Sequence, residues 1–179
     1  MRAKRTYNII STALMAAIIV VCSWITIPFG SVPFTMQTFA VFAAALILGP
    51  LKGVIAVVLY LLLGIVGLPV FSAFQAGPGV LMGATGGFLL GFIFIPLVGG
   101  LFDVKFRNTL LSAAGLLFGL ILCYVTGTLW YAFVWLDSAS VPAVITTSVL
   151  PYVIPDIIKC ILALVVAKKV NSLTKGRLV

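Results

Sequence analysis

Long apolar runs separated by short polar or Gly/Pro-rich breaks dominate the pattern of this chain. A membrane-spanning helix needs about 20 mostly apolar residues, and several runs approach that length. The pattern predicts an all-α integral membrane protein in which six transmembrane helices form one bundle. The six predicted segments are, in chain order, Asn8–Ile27, Gln37–Leu48, Val54–Val66, Ala84–Leu101, Leu110–Val134 and Leu150–Val170.

The second and third segments come from one apolar region that is interrupted at Gly49-Pro50-Leu51-Lys52-Gly53. Glycine and proline are the strongest breakers of a helical pattern, so we predict a turn there. An even number of spans places both termini on the same side of the membrane, and both termini are basic. The loop Gly67–Met82 is apolar yet rich in glycine and proline, and we predict that it dips back over the bundle, where protein covers its backbone.

Composition supports a membrane protein over its whole length. The chain is 63% hydrophobic and 8% charged, whereas soluble domains have about 25% charged residues. We therefore predict a single polytopic membrane domain, residues 1–179. The basic N-terminus followed by an apolar run resembles a signal peptide, but the run is too long and lacks a cleavage site, so we expect a retained first helix.

The net charge of +8 is arranged as membrane topology requires. Ten of the eleven Lys and Arg residues lie in the two tails or in the two even-numbered turns, which contain Lys52, Lys105 and Arg107. The odd-numbered loops have none, and Lys159 alone lies in the interior of a segment, since Lys168 and Lys169 are at the end of the last segment, next to the C-terminal tail. Cytoplasmic loops carry the excess of positive charge, so both termini are predicted to be cytoplasmic. This pattern argues against a nucleic-acid-binding surface.

The available side chains exclude several kinds of chemistry. The chain has no His and no Glu, which removes Ser-His and Cys-His catalysis and histidine metal sites. Asp103 and Asp137 are predicted at opposite membrane faces, so Asp156 has no second carboxylate for hydrolysis. The three cysteines, Cys22, Cys123 and Cys160, are expected to be buried thiols. We predict no enzyme, no metal and no cofactor; without an ATP-binding loop, energy for transport would come from a partner or an ion.

An acid and a base within the last segment are the candidate site. Asp156 and Lys159 are three residues apart and share one helix face, and ionisable residues inside membrane segments usually face a cavity or a partner. Pro151 and Pro155 place Asp156 in the first helical turn, near the non-cytoplasmic surface. We expect a small-molecule pocket there, mostly apolar with a few polar groups. The other candidate residues at that end are Thr35, Gln37, Phe74, Gln75 and Tyr152. An ion pair that only steadies the helix and a Ser-Lys catalytic dyad are the alternatives.

Six motifs spread over nearly the whole chain carry a family resemblance. They are Val32-Pro33-Phe34-Thr35-Met36-Gln37-Thr38, Leu48-Gly49-Pro50, Tyr60-Leu61-Leu62-Leu63-Gly64, Gly67-Leu68-Pro69-Val70-Phe71, Thr85-Gly86-Gly87-Phe88 and Pro155-Asp156-Ile157-Ile158-Lys159. Together they resemble the BioY family, the biotin-specific substrate-binding (S) components of energy-coupling factor (ECF) transporters.

The resemblance implies a six-helix bundle in the bacterial cytoplasmic membrane that captures biotin from the outside. It also implies partners: a transmembrane coupling subunit and two ATPase subunits. Asp156 and Lys159 match the family's acid and lysine, and Gln75 takes its amide position. Ala13 and Ala17 resemble the first-helix motif that docks on the coupling subunit. The alternatives are an S component for another vitamin, an intramembrane Ser-Lys hydrolase and a purely structural assembly subunit.

Overall fold

The computed structural model describes residues 2–28, 32–136 and 140–174, with side chains from residue 5 onward. Three charged residues of the sequence analysis lie outside the described residues: Asp137, which was predicted at one membrane face, and Lys175 and Arg177 of the basic C-terminal tail. The described chain is nearly all-helical. Five of its helical stretches are long and apolar enough to cross a membrane: Arg5–Trp24, Gln37–Ile65, Gly86–Phe106, Thr109–Trp135 and Leu150–Leu173.

Helix α1, Arg2–Trp24, ends three residues before the predicted boundary. Two short strands follow, β1 (Thr26–Ile27) and β2 (Phe34–Thr35), which pair antiparallel with Thr26 opposite Thr35. Apolar periodicity alone does not separate a helix end from a short strand, and β-branched residues favour the strand. The extension of the first helix to Ile27 is therefore wrong, and this ribbon is the exception to the all-α prediction.

Helix α2, Gln37–Ile65, contains one non-helical residue, Gly49, with φ 75° and ψ −176°. Glycine adopts positive φ without steric cost, and Pro50 then starts the following helical stretch. The chain reverses at this point, because a Cβ on Gly53 would lie 3.2 Å from the carbonyl oxygen of Ala44. The stretches 37–48 and 50–65 thus form an antiparallel hairpin. The break predicted over five residues is confined to one.

The loop before the fourth span contains a 3₁₀ turn at Ser72–Phe74 and the short helix α3 (Pro78–Met82). The fourth span itself consists of three pieces, which are helix α4 (Gly86–Gly91), a π-helical stretch (Ile95–Gly99) and helix α5 (Gly100–Phe106). This span is longer than predicted at its C-terminal end.

The last two spans are close to their predicted bounds. Helix α6 is Thr109–Trp130 and continues into a π-helical stretch, Tyr131–Trp135. Helix α8 is Leu150–Leu173. Between them lies helix α7, Val141–Ser148, which was not predicted even though Ser140 provides an N-cap and accepts a hydrogen bond from the backbone N–H of Ala143.

The first half of α2 is the centre of the bundle. Of residues 37–48, only Phe39 is more than marginally exposed, and α2 contacts α1, α8 and the π-helical stretch Ile95–Gly99. Small residues permit this close approach of helices. On α6, for example, a Cβ on Gly119 would lie 2.8 Å from the Cα of Ile95.

The loop after α2 is fixed to the bundle, as predicted for an apolar loop covering it. The Phe71 ring is fully buried and packs edge-on against Tyr60, with ring centroids 5.5 Å apart. Ser23 Oγ donates to the carbonyl of Val70, and the indole N–H of Trp24 donates to the carbonyl of Pro69. This loop and the β1–β2 ribbon therefore cover one end of the helices.

Candidate functional site

A cavity of about 600 Å³, counting its mouth, lies beneath these loops, where α2, α4, α6 and α8 meet. Its apolar wall is made mainly by α4, and its polar groups come from α2, α6 and α8. The lining residues are Val32, Pro33, Thr35, Gln37, Thr38, Ser72, Thr85, Phe88, Leu89, Phe92, Cys123, Tyr124, Ser148, Tyr152, Asp156 and Lys159.

The acid and the base form a buried ion pair in this cavity. Lys159 Nζ lies 2.8 Å from Asp156 Oδ1, and the two residues are 4% and 3% exposed. Asp156 is the seventh residue of α8 and so lies in its second turn rather than in the first, because the helix begins at Leu150.

Two hydroxyl groups complete the surroundings of the carboxylate. Thr38 Oγ1 donates to Asp156 Oδ1 at 2.8 Å, and the Tyr124 hydroxyl donates to Asp156 Oδ2 at 2.7 Å. Hydrogen bonds to a charged group are stronger than neutral ones, and a buried charge requires them. The carboxylate is thus held by residues from three helices, α2, α6 and α8.

The ammonium group of Lys159 is equally well surrounded. It donates to the carbonyl of Thr35 at 2.6 Å, to Thr38 Oγ1 at 3.0 Å and to Asp156 Oδ1. It also lies 4.1 Å from the centroid of the Phe34 ring, within range of a cation–π interaction. All three N–H donors of the ammonium therefore have protein acceptors, and one of them belongs to strand β2.

Three more predicted residues lie at this cavity. Thr35 and Gln37 line it, and the Gln37 amide is held in place because its Nε2 donates to the hydroxyl of Tyr60 and its Oε1 accepts from Thr35. Tyr152 also lines it, and its hydroxyl donates to the carbonyl of Val32. Thr35, Gln37 and Tyr152 therefore line the same cavity as the ion pair, and their contact with a ligand stays a prediction.

Phe74 and Gln75 are not among the residues that line the cavity, and their role in ligand binding stays a prediction. Phe74 is 61% exposed and stacks on Trp24 with ring centroids 5.1 Å apart. Ala73 and Phe74 have φ of 53° and 59°, a left-handed turn that directs the Phe74 ring away from the bundle. Gln75 is exposed and lines an outer cleft that adjoins the cavity and shares Pro33, Ser72 and Thr85 with it.

Sequence reasoning missed Thr38, Tyr124 and Phe34 as parts of the ion-pair surroundings. Thr38 is the last residue of the motif that begins at Val32. Tyr124 lies in the middle of an apolar helix, where a buried hydroxyl group needs a hydrogen-bond partner. That partner could have been sought at Asp156. The ring of Phe34 carried no such signal, because aromatic residues are common throughout this chain.

The arrangement provides binding chemistry rather than a nucleophile. Lys159 donates to a threonine hydroxyl and to no serine among the described residues, so no Ser-Lys dyad forms there. The apolar wall of Phe88, Leu89 and Phe92 faces a small number of fixed polar groups. Such a cavity suits a small molecule with an apolar body and polar ends.

Ala13 and Ala17 lie on α1, which contributes no residue to the lining of the cavity. Both are exposed on α1 and line an apolar groove together with Val20, Trp24 and Leu63. Neither residue contributes to the cavity. Their exposure leaves this face of α1 open to a second helix.

The family model of the BioY family matches residues 1–176. The chain belongs to the BioY family. A biotin transporter BioY from Thermotoga maritima is 39% identical over 170 residues, covering 95% of this chain and 99% of that protein. A probable biotin transporter BioY from Pyrococcus horikoshii is 35% identical, covering 90% of this chain and 94% of that protein.

A solved structure agrees with this BioY assignment. The crystal structure of the S-component for biotin from an ECF-type ABC transporter is 27% identical to this chain, with a TM-score of 0.87. The superposition covers 96% of this chain and 94% of that structure. The fold of this BioY family member is therefore that of an S component.

Proposed function

We propose that this chain is the biotin-binding S component of an ECF-type transporter, which captures biotin at the extracytoplasmic side for uptake. The observation that carries the proposal is the buried Asp156–Lys159 pair in a largely apolar cavity. The BioY relatives are biotin transporters rather than enzymes, which favours transport over the hydrolase alternative.

The chemistry of biotin matches the cavity. Biotin has an apolar bicyclic body, a ureido group with two N–H donors and a carbonyl, and an anionic tail. Asp156 Oδ2 accepts one hydrogen bond, from Tyr124, and has room for a second from a ureido N–H. Phe88 and Phe92 provide apolar surface for the bicycle. Lys159, which is the only cation among the described residues that line the cavity, takes the tail carboxylate.

Binding at Lys159 is an exchange of partners. Because its three N–H donors already have protein acceptors, a ligand carboxylate replaces one of them. A neutral acceptor, the carbonyl of Thr35 or the hydroxyl of Thr38, is replaced at lower cost than the Asp156 carboxylate, because the hydrogen bond between two charged groups is the strongest of the three. The contact with the ligand carboxylate then contributes less binding free energy than it would at an ammonium group that had no protein acceptors.

The proposed topology has six membrane crossings, with both termini in the cytoplasm of a prokaryotic cell. The antiparallel hairpin of α2 supplies two of the crossings, and the charge distribution supplies the orientation. The cavity then opens at the extracytoplasmic face of the membrane.

The proposed partners are a transmembrane coupling subunit and two ATPase subunits. The exposed small residues Ala13 and Ala17 support the first contact, because small side chains let a partner helix approach closely. The energy for uptake would come from the ATPases, since the chain has no ATP-binding loop.

Labelled-biotin binding to the detergent-purified chain tests the function, with unlabelled biotin, thiamine and riboflavin as competitors. We expect displacement by biotin alone. Displacement by another vitamin would identify an S component of different specificity. Absence of biotin binding by protein that is monodisperse and helical by circular dichroism would leave the structural-subunit alternative and overturn the proposal.

A further inference from the structure

A second polar cleft lies at the other end of α8, near the reversal of α2. It opens to the surface and has a volume of about 1170 Å³. Its lining comes from three parts of the fold: the first half of α2, the α5–α6 turn and the end of α8. The lining residues are Leu46, Asp103, Val104, Arg107, Asn108, Thr109, Ser112, Leu164, Ala167, Lys168 and Asn171.

Asn171 provides an unused acceptor at this cleft. Its Nδ2 donates to the carbonyl of Leu46 at 3.1 Å. That carbonyl needs a side-chain donor, because the residue four positions on is Pro50, which has no backbone N–H. The carbonyl accepts only from the NH₂ end of the amide, so the orientation of the amide is settled. Oδ1 is buried and has no hydrogen-bond partner among the described residues.

Asp103 provides a second acceptor. Its Oδ1 accepts from Ser112 Oγ at 2.6 Å, and its Oδ2 receives no hydrogen bond from the described residues. Arg107 and Lys168 line the same cleft and are exposed. Neither cation forms an ion pair with Asp103 in the described part of the chain. The cleft therefore presents separate anionic and cationic groups that do not satisfy each other.

We propose that this cleft binds the headgroup of phosphatidylethanolamine. The primary ammonium of the lipid donates to Asp103 Oδ2, and its phosphate lies between Arg107 and Lys168, while Asn171, whose Oδ1 is buried, forms the neighbouring polar wall. An ammonium has three donors and a phosphate accepts several hydrogen bonds, so one headgroup satisfies both halves of the cleft.

The position of the cleft favours a lipid over a protein partner. It lies at the end of membrane-spanning helices, which the proposed topology places near the cytoplasmic headgroups, and Leu46, Val104 and Leu164 add apolar walls that suit the upper part of an acyl chain. Basic pockets between transmembrane helices on the cytoplasmic side are typical lipid sites. The carboxylate makes this one selective for a headgroup that also has donors.

A preference for phosphatidylethanolamine over other phospholipids would distinguish a specific headgroup site from simple charge attraction. Phosphatidylcholine has the same phosphate, but its trimethylammonium has no N–H to donate. Phosphatidylglycerol is anionic and lacks the ammonium. Phosphatidylethanolamine should therefore bind more tightly than both, and Asp103→Asn should abolish this preference. The substitution retains an oxygen for Ser112.

The experiment is native mass spectrometry of the delipidated protein titrated with each of the three lipids at matched acyl chains. We expect Asp103→Asn and Lys168→Gln each to weaken phosphatidylethanolamine binding about tenfold, as for one charged hydrogen bond. The matched control is Lys169→Gln, which removes an exposed lysine that does not line the cleft. It should leave the affinity unchanged.

Three results would overturn the proposal. Equal affinity for phosphatidylcholine would show that the ammonium makes no hydrogen bonds. Equal losses in Lys168→Gln and Lys169→Gln would show diffuse charge attraction. Retention of none of the lipids would leave the cleft to a protein partner or to water. Circular dichroism of each variant verifies its fold, and the lipid measurement does not depend on biotin binding or transport.

Discussion

Replacing Lys159 with methionine tests which atom of the ligand the ammonium holds. The substitution keeps the apolar stem of the side chain and removes the charge and its three hydrogen bonds to Thr35, Thr38 and Asp156. If Lys159 binds the tail carboxylate of biotin, the variant should lose affinity for biotin but not for biotin amide, which has no anion.

The hydrogen-bond network sets the expected size of the loss. Truncating one partner of a buried charged contact costs about 2–5 kcal/mol. Here the lower part of that range applies, because Asp156 keeps the hydroxyl donors of Thr38 and Tyr124, and because the ligand replaces an existing acceptor rather than filling a vacant position. A cost of about 2–3 kcal/mol corresponds to roughly 30- to 150-fold weaker biotin binding.

Isothermal titration calorimetry of the purified chain measures both ligands. The wild type should prefer biotin to its amide by a similar factor, and Lys159→Met should bind both within about threefold of each other. Lys169→Met, on an exposed site of the same helix, is the matched control and should behave as wild type. Equal losses for acid and amide would place Lys159 on an atom that both ligands share and would refute the carboxylate assignment.

Four further predictions concern the network, the partner, the packing and the topology. Tyr124→Phe removes one donor from the buried carboxylate and should weaken biotin binding about tenfold in calorimetry; unchanged affinity would show that this hydroxyl does not position the acid. Ala13→Trp or Ala17→Trp should block co-purification with the coupling subunit while isolated protein still binds biotin, and equal loss of binding would assign both residues to the bundle itself. Gly119→Ala brings a Cβ against the backbone of the facing helix and should cost about 1–3 kcal/mol in thermal unfolding, whereas Gly79→Ala meets open space and should be near neutral; equal effects would contradict the close helix contact. Reporters fused to either terminus should indicate the cytoplasm, and an external signal would break the six-crossing topology.

The ion pair could be predicted because it depends only on local geometry. Asp156 and Lys159 are three residues apart on a helix, and that spacing places them together whatever surrounds them. Thr38 and Tyr124 could not be assigned in this way, because they reach the carboxylate from two other helices. Their contribution depends on how the bundle packs, which periodicity does not encode.

The orientation of Phe74 could not be predicted for a different reason. Its position in an apolar loop suggests a place near the pocket, but the left-handed backbone at Ala73 and Phe74 turns its ring toward Trp24. No glycine marks this turn, so the sequence has no signal for it. The short ribbon after α1 could not be predicted either. Thr26 and Ile27 pair with a strand that begins eight residues later, and the spacing of apolar residues along a helix contains no information on such a pairing.

The reversal at Gly49 creates two helical stretches with different surroundings: protein around the first and lipid on one face of the second. Residues 37–48 span about 18 Å at 1.5 Å per residue, less than the hydrocarbon thickness of about 30 Å, and are surrounded by protein on nearly all sides. Leu51, Ile55 and Leu62, in the returning half, are exposed where lipid would lie. An apolar carbene probe dissolved in the bilayer should thus label the second half and spare the first. Both halves are apolar, but substitutions throughout the first half obey the volume rules of a protein interior. In the second half those rules hold only for the buried face, and the outward positions Leu51, Ile55 and Leu62 tolerate any side chain that lipid accepts.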